Sequence, residues 1–519
     1  MQRSVAGATE RDSSRANEPA GRVGVIDLGS NTARLEIFRT SAAGAVRAID
    51  QRKEVPRLGL KTLPDGSLAP EAIQRGVAAL QRFAALLREM GSPRTLAVTT
   101  SAVREAPNAP EFLSQVQRSS GLSLRVLSGL EEARYAYLGV ASAWELGTAL
   151  VCDLGGGSLQ IVEVRDDRLH NSVSLPLGGL RLTQRFLEHD PPKSHELDEL
   201  RQAVRKAIDG ALEAFGGRRY QIFGVGGTVR ALARASIDLR GYPIARVHGF
   251  PLRDRDLSAI FELLVDAPAS KRNGIVRIGS DRADVILAGL IVFEEIVRAA
   301  DAGWITVSGT GIREGIALEV AGAELPAPAA QLAYRSVAAA AEGISFSLEH
   351  GERIAKVAGA LFDLVAEGRN WGDGERLALT VGAWMHDAGV AIDLWRHARH
   401  SAYLLRSYPL WGLDQRQGLL ASMAAFLHEG DDPPSSWRKE FLPILKPSDL
   451  ELALGLGAIL QVAERLAAAE PRFALTNEGT TLSIELGDAR APGLGTKATE
   501  KIRKPLSEAL GLEVRFRDT

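Results

Sequence analysis

Apolar side chains recur along this chain in two rhythms, a period of two over short runs and a period near 3.6 over longer ones. Val23 to Ile26 is a short apolar run that ends in Asp27 and the loop Leu28-Gly29-Ser30-Asn31-Thr32. Residues 33 to 39 then alternate, which predicts that the loop turns back into a second strand. The same sentence is written again further on. Leu150 to Cys152 ends in Asp153 and Leu154-Gly155-Gly156-Gly157-Ser158, and residues 159 to 164 alternate in turn. Between the two hairpins, 71 to 90 carries helical spacing that Gly91-Ser92-Pro93 stops, 95 to 100 reads as a buried strand, 109 to 119 as a helix and 124 to 127 as a strand. After the second hairpin the spacing predicts a helix over 195–215, a strand over 220–225 that reaches Gly226-Gly227-Thr228, a helix led by Val229-Arg230, a strand over 304–308 that reaches Gly309-Thr310-Gly311, and a helix over 312–320. These are four strand-to-loop junctions in one α/β region, and ligands favour crevices outside the carboxyl ends of strands.

A Pro- and Ala-rich stretch at 324–330 reads as a linker. Beyond it, 331–470 is rich in Ala and Leu at helical spacing, and 471–519 returns to short strand patterns at 480–485 and 512–516 around a helix near 497–510. The expected organisation is a disordered tail over 1–20, a first lobe over 21–138 onto which the 312–325 helix packs back, a second lobe over 139–311, an all-α domain over 328–470 and a small α+β domain over 471–519.

At 519 residues the chain is too long for a single core. Charged residues are 24% with a formal net charge of −2, so no global basic field points to nucleic acid or an anionic membrane; a polyanion site must be a local cluster. One cysteine, Cys152, rules out an internal disulfide, fits a reducing cytoplasm, and sits in an apolar strand where an inert buried thiol is expected. The first 20 residues lack the apolar centre of a signal peptide, and no apolar run approaches the roughly 20 residues that span a bilayer. A cytoplasmic protein is expected.

Glycines let backbone N–H groups approach a phosphate, hydroxyls add donors, and a carboxylate at a strand end can hold a divalent cation directly or through water. Asp27 and Asp153 with the loops 29–32 and 155–158 therefore suggest phosphate chemistry between two related lobes. A P-loop or dinucleotide fingerprint would open a helix after its glycines, and here each loop opens a strand. One such loop would read as a glycine turn with a capping aspartate; two matched loops and two later glycine-rich junctions favour a site. Hydrolysis of a phosphoanhydride also needs a base for water. Ser128-Gly129-Leu130-Glu131-Glu132 starts a helix after a strand, and either glutamate could face the cleft or simply serve the helix dipole. Thr99 to Arg104 ends a strand in hydroxyls and an arginine, suited to phosphate and equally to an ordinary loop.

Taken in order, Asp27-Leu-Gly-Ser-Asn31, Thr100-Ser-Ala-Val-Arg104, Ser128-Gly-Leu-Glu-Glu-Ala-Arg134, Asp153-Leu-Gly-Gly-Gly-Ser158, Gly224-Val-Gly-Gly-Thr228 and Ser308-Gly-Thr-Gly-Ile-Arg-Glu-Gly315 resemble the exopolyphosphatase and guanosine pentaphosphate phosphohydrolase family over residues 22–320. The resemblance implies two lobes of the actin, Hsp70 and sugar-kinase type with a ribonuclease H-like fold. It implies Glu132 as general base and Asp27 and Asp153 as holders of Mg²⁺ or Mn²⁺, with Asp153 assisting catalysis. Substrate contacts are expected from Gly29, Ser30, Asn31, Thr32, Arg104, Gly155, Gly156, Gly157, Ser158, Gly226, Gly227, Thr228, Gly309 and Arg313. The family pattern Gly-Gly-Gly-Ser-x-Glu is broken by Gln160, whose amide can orient water or a hydrated cation but carries no charge.

The helical region carries His350, His386-Asp387, His397, His400, His428 and Glu464. Helical domains of this family resemble the HD phosphohydrolase fold, which implies a possible second metal site at His350, His386, Asp387 and Glu464. Glutamate stands there where aspartate is expected, which favours a degenerate domain used for packing and substrate capture. Trp371, Trp384, Trp395, Tyr403, Tyr408 and Trp411 read as packing or a dimer face, while Arg396, Arg399 and Arg406 could extend a polyanion track. The expected activity is release of orthophosphate from inorganic polyphosphate, with guanosine pentaphosphate (pppGpp) as the alternative substrate and a homodimer as the expected assembly. An ATP-dependent kinase or ATPase and a non-catalytic polyphosphate or alarmone sensor are the readings from other classes; Gln160 is the best support for the sensor.

Overall fold

The computed structural model describes residues 21–41, 44–60, 65–91, 93–217, 219–367, 369–468, 473–477, 479–486 and 496–518. The expected tail over 1–20 lies outside the described residues. Strand β1 (Arg22–Leu28) pairs antiparallel with β2 (Ala33–Thr40) and β2 with β3 (Val46–Glu54), while β4 (Arg94–Thr99) and β5 (Leu124–Val126) run parallel on the other side of β1. The second sheet repeats this plan. β6 (Ala149–Leu154), β7 (Leu159–Arg165) and β8 (Arg168–Leu175) form the antiparallel part, and β9 (Gln221–Val225) and β11 (Trp304–Val307) extend it in parallel, with β10 (Pro251–Arg253) antiparallel at the edge.

Side-chain alternation along the central strands builds a core on each face of each sheet. Ile26 and Leu28 join Leu35, Leu80 and Phe83, whereas Val23 and Val25 join Phe38, Tyr135 and Ile316. In the second sheet Leu150 and Cys152 face Ile291 and Phe293, and Ala149 and Val151 face Tyr137 and Val140. Burial on both faces is why these strands read as continuous apolar runs. The outer strands β3 and β8 are missing from the sequence reading because their charged, partly exposed side chains blur the period.

The helix Gly129–Ala141 lies between the sheets. Its Tyr135 packs in the core of the first, and its Ala133, Tyr137 and Val140 pack against the second. The helix Ile312–Ala321 lies along it, with Ile316 and Ala317 in the core that holds Val23 and Val25. Both helices are thus wedged at the lobe boundary, and the first carries Glu132 into it.

From Ala329 the chain is helical, and its core extends into the last segment. Leu482 and Ile484 of β13 (Thr481–Leu486), Val514 of β14 (Glu513–Asp518) and Ile502 and Leu506 between them share one cluster with Ala358, Leu379, Leu420 and Leu460. The terminal α+β segment is therefore continuous with the helical core. β12 (Phe473–Asn477) completes its three-stranded sheet. The helical region touches both lobes: Arg47 donates to Tyr408 Oη at 3.0 Å, Tyr242 Oη donates to Gln415 Oε1 at 2.7 Å, and His248 is sandwiched between Trp144 and Trp411 with both ring centroids 4.7 Å away. Among the described residues no helix is long and apolar enough to cross a membrane.

Candidate active site

The two glycine loops close by the same turn. Gly29 N–H donates to Thr32 O at 2.9 Å and Gly155 N–H to Ser158 O at 3.0 Å, which returns each chain into the antiparallel partner of its own strand. The carboxyl ends of β1 and β6 therefore face one another across a cleft with a cavity of about 120 Å³. Contact between the loops is close. A Cβ on Gly156 would lie 3.2 Å from Asn31 N and one on Gly157 2.7 Å from Ser30 Oγ, while Ser101 Oγ, at the start of the short helix after β4, would lie 2.3 Å from the latter and is 3.0 Å from Ser30 Oγ. Gly226 has φ +104°, and a Cβ there would fall 2.6 Å from Leu154 O and 3.0 Å from Asp153 Oδ1, so two constraints require glycine at that position.

Asp27, Gly29, Ser30, Asn31, Thr32, Glu132, Asp153, Gly155, Gly156, Gly157, Ser158, Gly226, Gly227, Thr228 and Arg313 all line this cleft. The choice between the paired glutamates is made by helix geometry. Glu131 closes a capping box, its carboxylate accepting from Ser128 N at 2.8 Å and pairing with Arg125, while Glu132, one position further round the helix, is buried in the cleft. Burial pushes its carboxyl up to about 7, an effect that the paired Arg104 opposes and the nearby Asp153 and Asp27 reinforce.

Two predicted contacts fall elsewhere. Arg104 does not line the cavity; it ion-pairs with Glu132 and donates to Leu127 O at 2.7 Å, so it orients the glutamate. Gly309 lies outside the cleft, its N–H donating to His248 Nδ1 at 3.0 Å, because β11 ends a residue short of the loop that turns back toward Gly311 and Arg313. Arg399 and Arg406 are ion-paired with Asp431 and Glu440 and lie outside the cleft as well.

The cavity holds cations that the sequence motifs did not mark. Arg34, Arg230 and Arg282 line it with Arg313. Burial, together with the like charges of Arg313, Arg230 and Arg282, lowers Arg34 to about 10. The Arg34 guanidinium makes no hydrogen bond or ion pair with a described residue, and the Arg230 guanidinium donates only to the carbonyls of Ser308 and Thr310. Clustered guanidinium groups of this kind suit a polyanion. Arg34 and Arg230 directly follow recognised loops, which is the signal that could have found them; Arg282 has no such mark.

Asp27 and Asp153 fit a hard divalent cation. Burial raises both carboxyls, Asp153 to about 6. Asp27 has Arg313 at 3.5 Å, whereas Asp153 is buried and accepts no hydrogen bond or ion pair from a described residue. A buried carboxylate that feels Arg230 and Arg313 only through space, with no hydrogen bond from them, is stabilised further when a cation joins it, and oxygen donors suit Mg²⁺ or Mn²⁺. Asn31 Oδ1 is likewise buried without a partner. Gln160 is buried at the same cleft, and its amide N–H groups donate to Ser158 Oγ at 2.9 Å and Ser174 Oγ at 3.1 Å, so its carbonyl oxygen is the group left for a hydrated ligand.

In the helical region His350 Nε2 lies 3.4 Å from Asp387 and His386 Nε2 3.5 Å from it, whereas Glu464 is near His386 and 3.9 Å from His428 Nε2. His397 and His428 join them.

A sequence model of the Ppx/GppA phosphatase family matches residues 37–324, and one of Ppx/GppA phosphatase domain III matches 333–470. Exopolyphosphatase 2 of Mycobacterium tuberculosis is 33% identical over 318 residues, which cover 58% of this chain and 99% of that protein. Exopolyphosphatase 1 of Mycobacterium leprae is 31% identical over 306 residues, 57% of this chain and 88% of that one. Among solved structures, a Ppx/GppA family member of Aquifex aeolicus matches with a TM-score of 0.51 at 32% identity, covering 58% of this chain and 98% of its own. An exopolyphosphatase from Cytophaga hutchinsonii matches with a TM-score of 0.54 at 25% identity, covering 58% and 99%. The first family match takes in the second glycine loop, Glu132 and Arg313 and by itself covers more than half of the sequence, and the chain belongs to the Ppx/GppA phosphatase family.

Proposed function

We propose that this chain is an exopolyphosphatase that releases orthophosphate from the end of inorganic polyphosphate, with Glu132 as the general base. The observation that carries this reading is a buried glutamate near neutrality beside four clustered arginines and two glycine loops in one cleft. In the reaction, the terminal phosphate lies between loops 29–32 and 155–158, with Arg34, Arg230 and Arg282 offsetting its charge. Glu132 takes a proton from water as the water oxygen bonds to the terminal phosphorus. The bridging P–O bond breaks, and the shortened chain leaves with the bridging oxygen. Arg104 is a positioning residue that holds the Glu132 carboxylate. Mg²⁺ or Mn²⁺ bound by Asp27 and Asp153 would stabilise charge on the phosphate oxygens.

Among the residues lining the cleft there is no aromatic ring on which a guanine could stack, which favours polyphosphate over pppGpp. Orthophosphate release from long-chain polyphosphate and from pppGpp, measured in parallel with Glu132→Gln as control, tests this reading. Release mainly from polyphosphate, lost in the variant, is the expected result. Preference for the nucleotide would select the alternative substrate, and silence on both would move the chain to a sensor or a kinase.

A further inference from the structure

The second lobe buries a histidine that the proposed reaction does not use. His248 is stacked on Trp144 and meets Trp411 of the helical region edge-on, with both ring centroids 4.7 Å away. Its backbone is held as well: Gly249 N–H donates to Val307 O at 2.9 Å, and the Gln415 amide donates to His248 O at 3.0 Å. Packing of this kind needs an aromatic ring and no nitrogen.

The two nitrogens differ in use. Gly309 N–H donates to Nδ1 at 3.0 Å, so the ring proton sits on Nε2, which is buried without a partner. Burial, with the charges of Arg246 and Arg230 adding to it, holds the ring well below its ordinary range and keeps Nδ1 available as an acceptor. A phenylalanine would fill the same slot and strand no N–H group. What the histidine adds is one acceptor for one backbone amide.

That amide lies in the middle of a loop that reaches the cleft. Ser308 Oγ and Thr310 Oγ1 are 2.9 Å apart and Thr310 N–H donates to Ser308 Oγ at 3.2 Å, so residues 308–310 are cross-braced. The carbonyls on either side of Gly309 are the ones that hold Arg230: Ser308 O accepts from its Nε at 3.0 Å and Thr310 O from its Nη2 at 3.4 Å. The ring and the loop are in close contact, since a Cβ on Gly309 would lie 3.1 Å from His248 Cβ and 3.2 Å from Nδ1. In the cleft, Arg230 feels Arg313 as a like charge and Glu314 and Asp153 as opposite ones through space, and its guanidinium forms no ion pair with a described residue. The two carbonyls therefore fix its direction.

We propose that His248 is a positioning residue for phosphate binding: through Gly309 it fixes the loop 308–310, and through the carbonyls of that loop it aims Arg230 into the cleft. This rests on the reading of the cleft as a polyphosphate site. The remaining N–H groups of Arg230 meet the terminal phosphate already oriented, which lowers the cost of ordering them on binding. Because Trp411 covers the ring, the helical region bears on the same loop.

Two substitutions separate the acceptor from the ring. His248→Phe keeps the aromatic slot and removes the acceptor, whereas His248→Asn gives up most of the ring and puts Oδ1 in the place of Nδ1. Affinity of the full-length protein for tripolyphosphate is read by calorimetry with Mg²⁺ in the Glu132→Gln background, which limits turnover of the ligand. His248→Phe should weaken binding about tenfold with unchanged circular dichroism, and His248→Asn should recover most of that loss. In an Arg230→Gln background, His248→Phe should add little, because both changes remove the same contact with the ligand. The reverse order, with Phe harmless and Asn damaging, or full additivity with Arg230→Gln, would mean that the ring only packs and would overturn the proposal. If tripolyphosphate binds but the wild type releases no orthophosphate, the exopolyphosphatase reading fails while the same affinities still decide the role of His248. A Glu132→Gln protein that binds no tripolyphosphate overturns both.

Discussion

Adjacent glutamates on one helix turn face different surroundings here, and that difference can be measured. Glu132→Gln should lower orthophosphate release by about 10² to 10⁴, the range that a positioned base supplies. Glu131→Gln should keep most of the activity and cost about 1 kcal/mol or less in thermal unfolding, because it weakens only the capping box and an exposed ion pair. Because Glu132 must be ionised to accept a proton, and burial raises its carboxyl to about 7, release at saturating metal should fall as pH drops through neutrality, which a pH–rate profile would show. The stability effect of Asp153 has the opposite direction. Its folded-state carboxyl is raised to about 6 from 3.8, so the folded chain binds that proton more tightly, and the associated stability is lost as pH rises from about 4 to 6. Asp153→Asn should therefore raise the metal-free melting temperature at pH 8 and change it little at pH 4. Added Mg²⁺ should stabilise the wild type more than the variant.

Among elements, the matched turns are the sensitive parts. Gly157→Ala would place a methyl group 2.3 Å from Ser101 Oγ and 2.7 Å from Ser30 Oγ, so the loop 155–158 must shift away from both hydroxyls. A shift of roughly 1 Å in a reacting group is enough to cost about 10² in rate, and steady-state kinetics of Gly157→Ala should show a loss of that order with the fold retained. The pair of loops was legible in the sequence because an apolar run, an aspartate and a glycine cluster are local features. The strands that flank them, β3 and β8, were not, since their partly exposed side chains carry no period to read.

For the whole molecule, the relation between lobes and helical region is the open lever. The relative from Mycobacterium tuberculosis is spanned almost completely by 58% of this chain, which leaves it no counterpart for most of the helical region. A chain ended after residue 328 should therefore still release orthophosphate from short polyphosphate, while a weakened response to long chains would place the helical region along the substrate path. Gel filtration and phosphate release of the truncated protein would check both. A folded but inactive truncation would mean that packing through Trp411 and Tyr408 is needed to hold the lobes in register.

What the sequence determined by itself was local: the strand-loop-strand units, the aspartates at their ends, the helix that starts at Ser128 and the change of texture near residue 328. Each rests on side-chain periodicity and turn chemistry within a few residues. Only the tertiary structure decided which glutamate enters the cleft, that Arg34, Arg230 and Arg282 meet Arg313 there, that Gly309 turns to His248, and that His397 and His428 join His386 and Asp387. Those outcomes depend on groups far apart in the chain being buried together, and burial and charge act through distance in space, which sequence spacing does not encode.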